Sequence, residues 1–128
     1  MSGYSMYGTN DIVGARKFYD PLMEKLGAWR NSWSTDARAF YATASGAPFF
    51  AVGQPYDGAP ATIGNGAMIA FSAPTRALVD QLHAQALALG GTDEGAPGLR
   101  GEDPNGFYGA YFRDPDGNKL CIYRVGPP

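Results

Sequence analysis

The chain has 128 residues and a formal net charge of −2, with no basic run and no stripe of Lys or Arg, so the electrostatic footprint of a nucleic-acid binder is missing. No apolar run of about 18 residues and no charged-then-apolar leader is present, so no membrane span or signal peptide is expected. The single cysteine, Cys121, excludes an internal disulfide framework and any paired-cysteine zinc or redox motif, which favours a reducing, cytoplasmic setting.

Residues 3–9 alternate weakly and read as a strand with Tyr4 and Met6 on one face and Ser5 and Tyr7 on the other. Asn10 and Asp11 offer N-caps for a helix from Ile12 to Leu26. Its stripe is Ala15, Phe18, Tyr19, Leu22 and Leu26, and Gly27 is its stop. Pro21 inside that run removes a backbone donor and predicts a kink or a break. Three short β-prone stretches follow, Trp29–Ser34, Arg38–Ala44 and Pro48–Gln54. Trp29 and Trp33 read as core or interface anchors. Tyr56–Asn65, rich in Gly, Pro and Asn, has the composition of a linker.

The second half opens as the first did. Ala67–Ser72 reads as a strand, and Pro74 marks a helix start. Leu78, Val79, Leu82, Ala86 and Leu89 form an apolar stripe that ends at Gly90-Gly91. Thr92 begins a further short strand, and a Gly/Pro loop is expected from Gly95 to Gly106. Phe107 to Arg124 then reads as a β-hairpin around Asp114-Pro115-Asp116-Gly117-Asn118, in which Leu120 and Ile122 face the core while Lys119, Cys121 and Tyr123 share the other side. The order is βαβββ twice, an internal repeat. It predicts an α+β fold: two βαβββ modules forming a curved, cup-shaped mixed sheet with helices on the outer face. Module one is residues 1–57, the linker 58–65 and module two 66–125.

These pieces, in this order, carry a resemblance. The first strand leads into Gly8-Thr9-Asn10-Asp11, then Ala15-Arg16-Lys17-Phe18-Tyr19-Asp20, then Leu26-Gly27. The midpoint Gly64-Asn65-Gly66 leads into a strand ending Ala70-Phe71, a helix ending at Gly90-Gly91 and the final Arg113-Asp114-Pro115-Asp116-Gly117-Asn118. Nearly the whole chain resembles the vicinal oxygen chelate superfamily, which contains glyoxalase I, bleomycin-resistance proteins and extradiol dioxygenases, and is most similar to its single-domain bacterial glyoxalase-like branch. The resemblance implies a divalent metal held by two histidines, a glutamate and often a fourth acid. Carried over by position, these ligands fall on Tyr4, Met68 and Cys121, and the fourth on Ala51 or Val52. None is a usual ligand for hard or borderline metals, so no metal or other cofactor is expected. The lone histidine, His83, sits mid-helix and reads as a solvated or packing residue.

The resemblance thus implies a metal-free protein that binds a small organic ligand, aromatic compounds among them, in the cup. Tyr4, Met6, Met68, Tyr111, Arg113, Cys121 and Tyr123 are its candidate contacts, and a homodimer is expected. The tyrosines at 4, 41, 108, 111 and 123 either stack on such a ligand or fill a core or dimer seam. Arg113 either meets an anion or bridges to a surface acid. Arg100, Glu102 and Asp103 lie in the loop expected to border the cup. The alternative is a glyoxalase-like lyase or isomerase, using atypical metal ligands or none, with Cys121 as nucleophile. Against it, no histidine is in reach to activate that thiol. A third reading keeps the fold as an interaction module without chemistry.

Overall fold

In the computed structural model, which describes residues 3–128, the chain divides into two compact units, Met1–Asn65 and Gly66–Pro128. The first begins with β1 (Ser5–Gly8) and α1 (Ile12–Lys25). The helix starts where the Asp11 carboxylate accepts the Gly14 amide at 3.0 Å, and it stops where Gly27 takes a φ of +78°. Beyond that stop, the Ala28 amide reaches back to the Met23 carbonyl at 2.9 Å. Pro21 does not break the helix, which runs unbroken across it.

Then come β2 (Trp29–Arg30), β3 (Arg38–Ala42) and β4 (Pro48–Gly53), in the sheet order β1-β4-β3-β2, with β1 parallel to β4. The stretch expected as a strand to Ser34 is extended only over Trp29 and Arg30. Asn31 turns the chain by accepting the Trp33 amide on its side chain and the Ser34 amide on its carbonyl. Trp29 and Trp33 are not core residues, being 55 % and 56 % exposed.

The second unit repeats the plan with β5 (Ile69–Ser72), α2 (Arg76–Ala88), β6 (Thr92–Leu99), β7 (Phe107–Arg113) and β8 (Lys119–Val125). The sheet order is β5-β8-β7-β6, and β5 is parallel to β8. Thr75 caps α2 by accepting the Leu78 amide at 3.1 Å. The loop expected from Gly95 is in fact strand as far as Leu99. Pairing with β7 prevails over the Gly/Pro composition, and the register shifts around Gly95 and Gly98 accommodate Pro97 between them.

Alternation along the strands decides what each sheet shows. In the first unit Tyr7, Ala39, Tyr41, Phe50 and Val52 are buried together with Phe18, Tyr19, Leu22 and Met23 of α1. Tyr19 lies 5.0 Å from Phe50 and 6.4 Å from Tyr41, ring to ring. In the second, Ala110, Phe112, Leu120 and Ile122 of β7 and β8 pack with Val79, Leu82 and Ala86 of α2, and Phe71 is buried as well. Each such large apolar side chain contributes about 1.5–3 kcal/mol by leaving water. The intervening residues line the helix-free faces. The cross-strand rows there are Met6–Ala51–Phe40 in the first unit and Ala70–Cys121–Tyr111 in the second.

The β7–β8 turn is fixed by a buried carboxylate. Asp114 is 2 % exposed and Asn118 is 1 % exposed. One Asp114 oxygen accepts the amides of Asp116 and Asn118 at 3.0 and 2.9 Å, and the other accepts the Asn118 side-chain amide at 2.9 Å. Gly117 supplies the positive φ, +97°. Asp114→Ala would strand those donors out of reach of water. A loss of about 3 kcal/mol is expected in urea unfolding, with a smaller loss for Asp114→Asn, which keeps one acceptor oxygen.

Candidate functional site

On the helix-free face of the second unit, Cys121 of β8 stands opposite Tyr111 of β7. Cys121 is 1 % exposed, and burial pushes its thiol up despite the hydrogen bond from Tyr111 and the nearby charges of Arg100 and Lys119. Burial also pushes the Tyr111 phenol up, with Cys121 adding to the effect. Two cations lie over the Tyr111 ring, the Arg100 guanidinium carbon and the Lys119 Nζ, each 5.5 Å from its centroid. Tyr123 is on the same face and stacks on Phe107 at 5.2 Å with an interplanar angle of 11°. A side chain at Gly109 would collide with that Phe107 ring.

Arg113 shares the face but pairs with Glu94 and donates to the Gly117 carbonyl at 2.8 Å, so it bridges to a surface acid. Met68 lies just before β5 and is 46 % exposed. The other two tyrosines point the opposite way. Tyr41 donates to Asp20 of α1 and Tyr108 to Asp80 of α2, both at 2.6 Å.

The first unit has an aromatic helix-free face of its own. Tyr4 packs edge-on against Phe40 at 5.3 Å and Trp33 at 6.4 Å, and Tyr4 and Met6 are 50 % and 41 % exposed. Beside Met6 an open cavity of about 550 Å³ is lined by Gly8, Pro55, Tyr56, Asp57 and Pro60–Thr62. Its wall is held by Asn10, whose side chain accepts the Ala61 amide at 2.7 Å and donates to the Ala61 carbonyl at 3.3 Å. That clasp ties part of the linker-like stretch to the first unit.

The positions that a divalent metal would require in this fold do not suit one. Tyr4 is a phenol engaged with aromatic rings, Met68 offers only a thioether and Cys121 is held as a neutral thiol. The fourth position resolves to Ala51, which pairs with Met6 on the helix-free side, whereas Val52 pairs with Tyr7 under α1. No group of three or more His, Cys, Asp or Glu side chains is gathered for metal binding among the described residues. His83 is a packing residue, 6 % exposed, with Nε2 2.9 Å from Asp93 Oδ1 and its ring 6.4 Å from Phe112.

The structure therefore brings Tyr111, Cys121 and Tyr123 onto one face of the second unit and places Tyr4 and Met6 on one face of the first. It adds Phe40, Trp33 and Arg100. Phe40 was legible from the alternation along β3, because its row partner Ala51 was already a candidate position. Arg100 was obscured because its segment reads as loop.

Residues 5–122 match the family model described as the Glyoxalase/Bleomycin resistance protein/Dioxygenase superfamily. A glyoxalase/bleomycin resistance protein of Albidiferax ferrireducens T118 is 39 % identical, with 95 % of this chain and 96 % of that one covered and a TM-score of 0.82. A glyoxalase/bleomycin resistance protein/dioxygenase family enzyme of Burkholderia phytofirmans PsJN is 25 % identical over 96 % and 97 %, with a TM-score of 0.73. The lactoylglutathione lyase of Agrobacterium tumefaciens, 21 % identical over 97 % and 92 % with a TM-score of 0.65, shares the fold. A search of the curated proteins finds no match.

A buried neutral thiol should react slowly. Iodoacetamide at pH 7 is expected to modify Cys121 at least about tenfold more slowly than a free cysteine, with the rate climbing above pH 9. A rate equal to that of free cysteine would show the thiol to be exposed and ordinarily ionisable. The Asp93 carboxyl is held below its ordinary range, first by the Gly95 amide and then by His83. A depressed folded pKa gives stability that is present above the unfolded value of about 3.9 and disappears as pH falls through the folded one. Asp93→Asn should thus lower the melting temperature at pH 7, and the gap to wild type should close as the pH drops below about 4.

Proposed function

Because the chain belongs to the Glyoxalase/Bleomycin resistance protein/Dioxygenase superfamily, we propose that it binds a small organic ligand of aromatic character without a divalent metal. The observation that carries this reading is the helix-free face of the first unit. Tyr4, Met6 and Trp33 stand there between 41 % and 56 % exposed, where a solvated sheet face would ordinarily carry polar side chains, and Met6 lines an open cavity. Flat rings offer stacking area at little entropic cost, and a thioether adapts to varied shapes.

The donor chemistry at the metal-equivalent positions supports the metal-free part. Pairing of two copies and a reducing, cytoplasmic setting complete the proposal. No helix is long and apolar enough to cross a membrane among the described residues. Turnover is the less favoured reading. A nucleophilic Cys121 would need a lowered pKa or a base beside it, whereas its thiol is pushed up and His83 is buried with Phe112, whose side chain faces α2.

Screening small aromatic compounds by thermal shift tests the proposal. A binder at about 100 times its Kd adds about 2.7 kcal/mol, a rise of several degrees. The shift should be equal after EDTA treatment and should fall for Tyr4→Ala or Met6→Ala. A stoichiometric divalent cation on the purified protein, needed for the shift, would refute the metal-free reading.

A further inference from the structure

Arg100 ends the irregular strand β6 and folds back over it. Its Nη1 donates to the Gly98 carbonyl at 2.9 Å and its Nη2 to the Ala96 carbonyl at 2.7 Å. Positions 95 and 98 are glycine beneath it, and a side chain at either would press on it. A Cβ at 98 would stand 3.2 Å from Nη1, and one at 95 would stand 3.3 Å from Nη2 and 3.1 Å from the Tyr111 ring. Two backbone bonds and the ring beneath thus hold the exposed guanidinium over Tyr111. Fixing it in advance removes most of the entropic cost of using it.

The acids on β6 are already engaged. Asp93 is held by His83 and the Gly95 amide, and Glu94 by Arg113. Among the described residues, Arg100 pairs with no carboxylate. Each Nη makes a single bond to the backbone, so Nε–H and the remaining N–H groups of the fork are open to an acceptor. The ammonium of Lys119, over the same tyrosine ring, adds a second positive charge. Beside them Tyr111 and Tyr123 are half-buried rings on the same face.

Resting on the ligand-binding reading above, we propose that this face of the second unit recognises the carboxylate of an aromatic acid, with Arg100 as the residue that binds the anionic group. Planar guanidinium and planar carboxylate match in a fork-to-fork geometry, and such charge-assisted bonds are about twice as strong as neutral ones. The ring of the ligand lies beside Tyr111 and Tyr123. The contact weakens as salt screens it.

The probes are benzoate and its neutral isostere benzamide, titrated against the full chain and followed by amide NMR. Benzoate should move the resonances around Tyr111 and Cys121 and bind about tenfold more tightly than benzamide, as expected for a hydrogen-bonded charge. Arg100→Gln should erase that preference, with benzoate binding no more tightly than benzamide, while Arg100→Lys should keep part of it. The spectra themselves report whether each variant is folded. Were Arg100→Gln to unfold, the wild-type preference together with the Arg100→Lys result would decide. Equal affinity for the two probes, tighter binding of benzamide, or a preference that survives Arg100→Gln overturns the anion assignment while ligand binding stands. If neither probe moves any resonance, and the aromatic screen is also blank, both proposals fall.

Discussion

Each unit has one helix for a four-stranded sheet, and a helix covers only one face. The rest of the structure follows from that shortage of cover. Strand residues alternate, so those under the helix must be apolar and tightly packed, as Phe50, Val52, Leu120 and Ile122 are. Their immediate neighbours, Ala51 and Cys121, are thereby aimed at the opposite side. A slip of one residue in β8 would exchange Ile122 for Cys121 and undo the core. The register that stabilises the fold is also what composes the helix-free faces.

Electrostatics follows the same division. Aspartates on the helices and on β6 meet tyrosine or histidine, as in Tyr41–Asp20, Tyr108–Asp80 and His83–Asp93. Asp114 is consumed by its own turn. Side-chain carboxylates thus act as structural acceptors, and on the helix-free face of the second unit two cationic side chains lie over Tyr111. Cys121 is near both, yet burial outweighs the charges and pushes its thiol up.

The repeated order of elements, both helices and the closing hairpin were legible in the sequence, because their signals are local: a capping Asp11, the Gly27 and Gly90 stops, and a turn in which Asp114 and Gly117 have separate jobs. The core partition of β8 was legible for the same reason. What escaped has two causes. Asn31 ends β2 early by bonding its own neighbours, a local choice that β-prone composition does not announce. The rest was set by contacts distant in the chain. Strand β6 persists through Gly95, Pro97 and Gly98 because β7 pairs with it. The split of the tyrosines, with Tyr41 and Tyr108 going to helix carboxylates, depends on partners 21 and 28 residues away. Arg100 belongs to this group through the Tyr111 ring beneath it, although Gly95 and Gly98 lie close by in sequence.

Strand β6 lies at the rim of its sheet, and an edge of unpaired amides and carbonyls invites a neighbouring molecule to add a strand of its own. Pro97 withholds a donor there, and the shifted register spoils the regular spacing an incoming chain would need. At the other sheet's rim, β2 is only two residues long and gives little to template on. The irregularity that makes β6 hard to recognise by eye thus leaves this rim a poor template, through the same glycines that lie beneath Arg100.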